Sequence, residues 1–399
     1  ADNALPADAV PELVWSLVER SLLAADLTAN ATRYRFLETI RQYGRRMADQ
    51  AGEIDRVAPA VAAWLLERLG PWGSADRRWL GDVSLELDNL RSLIPLVTGH
   101  HPETAQQLAC TIGRYRDLVQ AFRIGIEEVA RFADELPAAT PSRVALLTTL
   151  ADLHLRVGNV GQARAVLEKA AALRAEVGAA PWDDAGVEKT TGDIATRTGD
   201  VARAAAIATE ALERDLAPLS RSRMWNLLGL ALVGLGDLEG ALAAFSEELA
   251  ASLGSGHEAW VASAEGNLAE ISLRLGDTAG AARHQDASLE LAIALGLPAT
   301  LPYSLIVAAR LAGGSGEWAT AAQLQAKATA MLEETGHRLY EDDQRVVEGF
   351  LEQAKAELGE EPFATAERAG EALDTADAAV LAHRVLQKAA GAAPRVEPA

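Results

Sequence analysis

The chain has 399 residues, a formal net charge of −20 and a hydrophobic fraction of 49%, while aromatic residues make up only 5%. The acidic balance argues against a nucleic-acid-binding protein, because phosphate contacts require clustered lysine and arginine. No stretch approaches the roughly 20 apolar residues of a transmembrane helix, and the N-terminus lacks the basic and apolar regions of a signal peptide. The length predicts two or more domains or an extended array.

The only cysteine, Cys110, lies in the apolar run QQLACTIGRY. A single cysteine excludes an internal disulfide and a thiolate metal cluster. We therefore predict that Cys110 is a small buried hydrophobic residue. This cysteine usage favours a reducing, cytoplasmic location.

Residues 1–56 differ in pattern from the rest of the chain. They predict a helix, a short strand at 21–25, a polar turn, a second strand at 33–37 and a further helix. This order is that of the C-terminal part of a winged helix, with residues 26–32 as the wing tip. A winged helix has further helices before this point, so we expect that the chain was cut from a larger protein.

Residues 57–140 form a predicted helical connector. Apolar residues recur there at three- and four-residue spacing, which is typical of helices that bury one face. Breaks are predicted at residues 70–73 and 98–104, where glycine, proline and polar residues cluster. The last part of this segment is interpreted as a degenerate first repeat.

A short sequence motif that contains a glycine turn then recurs through residues 141–358. Its glycines are Gly158, Gly199, Gly236, Gly276 and Gly316. Their separations are 199−158 = 41, 236−199 = 37, 276−236 = 40 and 316−276 = 40. A steady period of this size indicates a solenoid in which each repeat is one supersecondary unit. Residues 359–399 are predicted to be a C-terminal helical cap and tail.

Each repeat is predicted to contain two antiparallel helices joined at its glycine. In the third clear repeat, Gly236 ends one helix, because glycine adopts the left-handed backbone conformation at low cost. Gly229 and Ala241 are small enough to let the two helices approach closely. One such hairpin cannot bury its own apolar face, so neighbouring copies must stack. The predicted fold class is all-α, a tetratricopeptide-like right-handed helical solenoid preceded by a partial winged helix with two short strands.

The repeats resemble the tetratricopeptide pattern, with a period closer to 40 than to the usual 34 residues. Three other segments are similar to the signal-transducing ATPases with numerous domains, among them LuxR-type and AfsR-type transcriptional regulators and cyclase-fused relatives. Residues 17–53 resemble the winged-helix exit of that family, LELDNLRSLI at 85–94 resembles its connecting helices, and 358–386 resemble its closing segment. The resemblance covers nearly the whole chain.

This resemblance implies a sensor region that works together with a nucleotide-binding module. No Gly-x-x-x-x-Gly-Lys-Ser/Thr phosphate loop occurs in the sequence. ATP or ADP and Mg are therefore expected only in a module outside this chain, and no cofactor is expected in this segment. We also predict no catalytic residues and no metal site, so the segment is not expected to be an enzyme.

Acidic residues and arginines recur four positions apart just before the repeat glycines, with an asparagine nearby. On the first helix of each hairpin they are expected to face the groove of the array. The candidate groove residues are Asp152, Arg156, Asp193, Arg197, Asn226, Glu270 and Arg274. The alternative is a set of i,i+4 acid–arginine pairs on the surface, each worth roughly 0.2–0.5 kcal/mol.

The predicted function is that of a sensor or interaction domain. A protein partner or a small-molecule effector would bind in the groove, and the signal would pass to the nucleotide-binding module. Neither direct nucleic-acid binding nor membrane binding is expected. The alternative is a constitutive tetratricopeptide scaffold that assembles proteins without sensing. An autonomous hydrolase is the weakest alternative, because no suitable site is visible in the sequence.

Overall fold

The computed structural model describes residues 6–27, 32–70, 76–297, 300–336, 339 and 341–391. The chain forms two compact units, Ala1–Ala63 and Trp64–Ala399. The boundary lies seven residues after the predicted end of the winged-helix segment at residue 56, and it falls within a helix. The other predicted domain limits stay predictions.

The first unit has the predicted order of elements. Helix α1 spans Val10–Glu19, strand β1 spans Leu23–Asp26, strand β2 spans Arg33–Phe36 and helix α2 spans Glu38–Gln50. The two strands pair in antiparallel fashion. A short 3-10 turn, Ala7–Ala9, precedes α1.

The hairpin is covered at one end of β1. Leu23 is buried and pairs with Phe36, while the next three residues of β1 are exposed. Of the predicted wing tip, residues 28–31 lie outside the described residues. The assignment of this unit to a winged helix stays a prediction.

The second unit consists of helices throughout the part that the structure describes, which confirms the all-α prediction. In chain order the helices are α3 Ile54–Leu69 (which begins in the first unit), α4 Arg77–Val97, α5 Pro102–Leu118, α6 Phe122–Glu135, α7 Pro141–Arg156, α8 Val160–Val177, α9 Gly186–Arg197, α10 Val201–Leu212, α11 Pro218–Leu235, α12 Leu238–Ser255, α13 Glu258–Arg274, α14 Thr278–Leu295, α15 Leu301–Gly314, α16 Trp318–Thr335, α17 Glu341–Leu358, α18 Glu360–Glu371 and α19 Thr375–Ala389.

Consecutive helices pack as hairpins, from α5 with α6 to α15 with α16. The array then changes its pattern, because α16 packs on α18, and α19 returns to pack on α14 and α15. The break predicted at 98–104 is found at 98–101, between the end of α4 at Val97 and the start of α5 at Pro102, whereas residues 102–104 are helical. Of the break predicted at 70–73, residues 71–73 lie outside the described residues.

The sequence signals for these hairpins are local. Gly236 has φ of +81° and ends α11 in the left-handed conformation. Asp237 then caps α12, since its carboxylate accepts a hydrogen bond from the backbone N–H of Gly240 at 2.9 Å. Several of the first helices have proline at their first or second residue, where its missing N–H costs nothing. These prolines are Pro102, Pro141, Pro218 and Pro302.

Small residues set the distance between the two helices of a hairpin. A Cβ atom added to Gly229 of α11 would lie 2.4 Å from Cε1 of Phe245 in α12. Ala241 is fully buried nearby. The prediction that Gly229 and Ala241 permit close packing is therefore confirmed.

Cys110 is 1% exposed, as predicted for a small buried hydrophobic residue. Burial raises the pKa of its thiol. Among the described helices, none combines the length and apolar character that a membrane span requires.

Candidate functional site

A cavity of about 320 Å³ lies within the second unit. Its wall is formed mainly by the first helices of successive hairpins, namely α5, α7, α9, α11, α13, α15 and α17. Pockets that bind drug-sized ligands have volumes of about 300–1,000 Å³, and this cavity is near the lower end of that range. The repeat architecture thus places residues that are far apart in sequence around one cavity.

Charged residues in the cavity wall form ion pairs between hairpins. Arg156 Nε lies 3.0 Å from Oδ1 of Asp117, which is 39 residues earlier in the chain. Arg310 Nη1 lies 2.5 Å from Oε2 of Glu270, which is 40 residues earlier. These separations match the repeat period, so the pairs join neighbouring repeats and tie the cavity wall together.

A second set of ion pairs extends the wall toward α17. Arg274 Nε lies 2.7 Å from Oε1 of Glu270, and its Nη2 lies 3.0 Å from Oδ1 of Asp343. On α9, Lys189 Nζ lies 2.6 Å from Oδ1 of Asp193. Each of the carboxylates in the lining therefore has a cationic partner.

Behind the wall, α7 and α11 are joined by a buried charge cluster. Arg223 donates hydrogen bonds to Asp183 at 2.7 Å and to Asp152 at 3.4 Å. Asp152 also accepts a hydrogen bond from the hydroxyl of Thr190 at 2.7 Å. Burial raises the pKa of Asp152 to about 6, although Arg223 acts in the opposite direction.

The structure places most of the predicted groove residues at the cavity. The predicted residues in its lining are Arg156, Asp193, Asn226, Glu270 and Arg274. Asp152 and Arg197 are not among the lining residues. Of the three predicted i,i+4 pairs, Glu270–Arg274 is an ion pair, whereas Arg156 pairs with Asp117 and Asp193 pairs with Lys189. Whether these residues bind a ligand stays a prediction.

Glu248 of α12 is a buried acid that sequence reasoning missed. It is fully buried and accepts hydrogen bonds from Nδ2 of Asn226 and Nδ2 of Asn267, both at 3.1 Å. Burial raises the pKa of Glu248 to about 7, and the two amide hydrogen bonds offset part of this effect. Because both asparagines line the cavity, Glu248 fixes the orientation of two polar groups in its wall.

Aromatic and amide side chains complete the wall. The guanidinium of Arg114 in α5 lies 5.6 Å from the ring centroid of Trp260 in α13. This contact joins the α5–α6 hairpin to the α13–α14 hairpin. Gln120, Trp260 and Gln285 each have a buried side-chain atom without a hydrogen-bond partner among the described residues. These residues were missed because nothing in the local sequence shows that they converge.

One further polar cluster lies away from the cavity lining. Oxygen atoms of Asp286 and Glu290 in α14 lie near a ring nitrogen of His383 in α19. His383 Nδ1 is 2.5 Å from Oδ1 of Asp286, and its Nε2 is 2.7 Å from Nε2 of Gln387. These contacts hold α19 against α14. The predicted lack of a metal site stays a prediction.

No family model and no curated protein matches the chain. A Rap protein complexed with Competence and Sporulation Factor is 14% identical, with a TM-score of 0.47, and the match covers 77% of this chain and 98% of that one. BtubC from P. vanneervenii is 20% identical, with a TM-score of 0.37, over 59% of this chain and 92% of that one.

A signal transduction ATPase with numerous domains (STAND) protein with a tetratricopeptide repeat sensor, from Pyrococcus horikoshii, is also similar. It is 14% identical, with a TM-score of 0.40, over 87% of this chain. The match covers 58% of that protein. At these identities and TM-scores the likenesses establish neither membership of a family nor a shared activity.

Proposed function

We propose that this chain is a sensor or interaction domain that recognises a ligand in the cavity of its helical-repeat unit. The observation that carries this proposal is the cavity itself, into which seven helices of successive hairpins place charged, amide and aromatic side chains. Pockets that combine apolar walls with a few convergent polar groups are typical of ligand sites. We propose no catalytic role for this segment.

A ligand in this cavity would contact several hairpins at once. It would therefore stabilise the arrangement of repeats that fits it best and shift the population of the unit toward that arrangement. The resemblance of the sequence to signal-transducing ATPases supports a relay from here to a nucleotide-binding module, which would bind ATP or ADP and Mg. In that proposal the chain belongs to a transcriptional regulator of the LuxR or AfsR type, and residues 1–56 are the winged-helix exit.

The recognition proposal is tested by filling the cavity. Ser263 of α13 is a lining residue, so Ser263→Trp would occupy the space that a ligand needs. Ser246→Trp on exposed α12 surface is the matched control, because Ser246 is not a lining residue. The protein would be incubated with an extract of its source cells, repurified and examined by native mass spectrometry.

We expect an added small-molecule mass on the wild type and on Ser246→Trp, and its loss from Ser263→Trp. Equal occupancy of all three proteins would contradict the proposal, and so would the absence of an added mass from all three. The relay would be tested separately by measuring association with the nucleotide-binding module, with and without the extracted ligand.

The second candidate function is a constitutive scaffold. The interlocked ion pairs of Glu270, Arg274, Arg310 and Asp343 favour it, since they join three hairpins without a ligand. A scaffold would bind its protein partners with the same affinity whether or not the cavity is filled by Ser263→Trp. A partner affinity that depends on the cavity would argue against it.

A further inference from the structure

Some polar side-chain atoms in the cavity wall lack a hydrogen-bond partner, and they indicate which hydrogen-bonding groups a ligand should carry. Gln120 is 6% exposed, lines the cavity, and has no hydrogen-bond partner among the described residues for either Nε2 or Oε1. Gln285 is 1% exposed, and its Oε1 lacks a partner while its Nε2 donates to Ser304 Oγ at 2.7 Å. The indole N–H of Trp260 is buried and also lacks a partner among these residues.

These unmatched atoms are two donors and two acceptors. Gln120 Nε2 and Trp260 Nε1 are donors, whereas Gln120 Oε1 and Gln285 Oε1 are acceptors. Burying such groups without partners is unfavourable, so a molecule that pairs with them gains affinity by removing that penalty. An amide group offers one N–H and one C=O, and it therefore matches both kinds of atom.

The ionic groups around the cavity are already paired with one another. Asp117 pairs with both Arg114 and Arg156, Asp193 with Lys189, Glu270 with Arg274 and Arg310, and Asp343 with Arg274. Behind the wall, Arg223 pairs with Asp152 and Asp183. A charged ligand would have to lose its water without gaining a counterion that is not already in use, which is costly.

Much of the remaining wall is apolar. Its hydrophobic members include six residues from six different helices, namely Phe122, Leu230, Phe245, Ile271, Ile306 and Val347. They suit a ligand with apolar substituents on both sides of its polar group.

We infer that the cavity takes an uncharged, drug-sized molecule that carries an amide group between apolar substituents. This inference rests on the proposed function and adds the ligand class to it. It assigns Gln120, Trp260 and Gln285 as the residues that bind the amide. Peptide-derived amides, such as blocked or cyclic dipeptides, and amides of other origin share this chemistry.

The test uses leucine derivatives that differ in charge, each charged analogue keeping one of the two amide groups of the neutral probe. N-acetyl-leucine N-methylamide is neutral, N-acetyl-leucine is an anion and leucine N-methylamide is a cation. In the corresponding N-acetyl-leucine methyl ester, an ester oxygen replaces one amide N–H. A cyclic dipeptide and a non-peptide aryl amide distinguish peptide-derived ligands from amides of other origin. Affinities for the complete chain would be measured by ligand-observed NMR and calorimetry.

We expect the neutral amide to bind about tenfold or more tightly than either charged analogue, and the ester to bind less tightly than the amide. Gln120→Met and Gln285→Met each should weaken the neutral amide by about tenfold, because each removes a polar partner at nearly constant volume. Gln325→Met is the matched control: Gln325 is also 1% exposed with an unpartnered Oε1, but it does not line the cavity. It should leave the affinity unchanged.

A charged analogue that binds as tightly as the neutral amide would overturn the inference, and so would full affinity in both Gln120→Met and Gln285→Met. If a charged molecule binds and is displaced by Ser263→Trp, the ligand class is wrong while the proposed function stands. If no probe binds at millimolar concentration and the cell extract supplies no ligand either, both proposals are wrong.

Discussion

Arg310 contacts Glu270 of the preceding repeat, 40 residues earlier in the chain, with 2.5 Å between Nη1 and Oε2. The same carboxylate accepts a hydrogen bond from Arg274 of its own helix at 2.7 Å. Glu270 is therefore shared by two arginines, one local and one from the next hairpin. Loss of Glu270 should therefore destabilise the wall more than loss of either arginine.

The shared acid gives a prediction about stability. Glu270→Gln should lower the free energy of unfolding by roughly 1–3 kcal/mol, because two partly buried guanidinium groups lose their common partner. Arg310→Met should cost less, since Glu270 keeps Arg274. Urea denaturation of the two variants and the wild type would measure the difference. A smaller loss for Glu270→Gln than for Arg310→Met would contradict this view of the network.

The close contact of α11 with α12 gives a second prediction. Gly229→Ala should destabilise the protein by roughly 1–3 kcal/mol, because its Cβ would overlap the buried ring of Phe245. Gly349→Ala in α17 is the control, since a Cβ there meets nothing within 4 Å. That change should be neutral or stabilise by up to about 1 kcal/mol through helix propensity. Thermal unfolding measures both, and equal effects of the two substitutions would refute the packing argument.

The raised pKa of Glu248 predicts how the stability of the protein depends on pH. Its pKa is raised in the folded protein from 4.5 to about 7, so the native state binds more protons than the unfolded state between these values. Stability should therefore fall as pH rises from about 4.5 to 7, by at most about 1.4 kcal/mol per pH unit from this group. Asp152 acts in the same direction at lower pH, because its pKa is raised to about 6.

The Glu248→Gln variant isolates this contribution. A glutamine does not titrate, so the decline in unfolding free energy between about pH 6 and 7 should become shallower than in the wild type. Denaturant titrations at closely spaced pH values would provide the curves. Parallel wild-type and variant curves over that interval would show that Glu248 does not titrate there.

Charge reversal in the array provides a test of the groove residues one at a time. Arg156→Glu and Arg274→Glu should both lower the occupancy of the extracted ligand, because each places a second acid beside a lining carboxylate and disrupts the wall. Arg197→Glu should leave the occupancy unchanged, since Arg197 does not line the cavity. Native mass spectrometry gives the occupancies, and circular dichroism melting shows whether each variant is folded. Loss of ligand from folded Arg197→Glu would mean that the site extends beyond the cavity.

Much of the fold could be predicted because its signals are local. Gly236 ends α11 because glycine readily adopts the left-handed backbone conformation found there. Asp237 caps α12 by accepting a hydrogen bond from a backbone N–H three residues later. The strand pair at Leu23–Asp26 and Arg33–Phe36 was likewise predicted, from two short strand-like runs on either side of a polar turn. Repetition of such local signals predicts stacked hairpins.

The cavity could be predicted only in part, for reasons that the charged residues illustrate. Helical spacing placed Arg156 next to Asp152, yet Arg156 pairs with Asp117 while Asp152 accepts from Arg223 of α11. Two charges four residues apart gain little from each other on a helix, so a partner on the neighbouring hairpin can replace the local one.

By itself the sequence determined the helical hairpins, their period and the helix face that turns toward the centre of the array, because backbone conformation and helix capping depend on neighbouring residues. Only the tertiary structure decided which side chains meet. Gln120 and Trp260 lie 140 positions apart in the sequence and yet line one cavity. The physical reason is that small differences in packing accumulate from one hairpin to the next, so contacts between distant repeats depend on the whole stack.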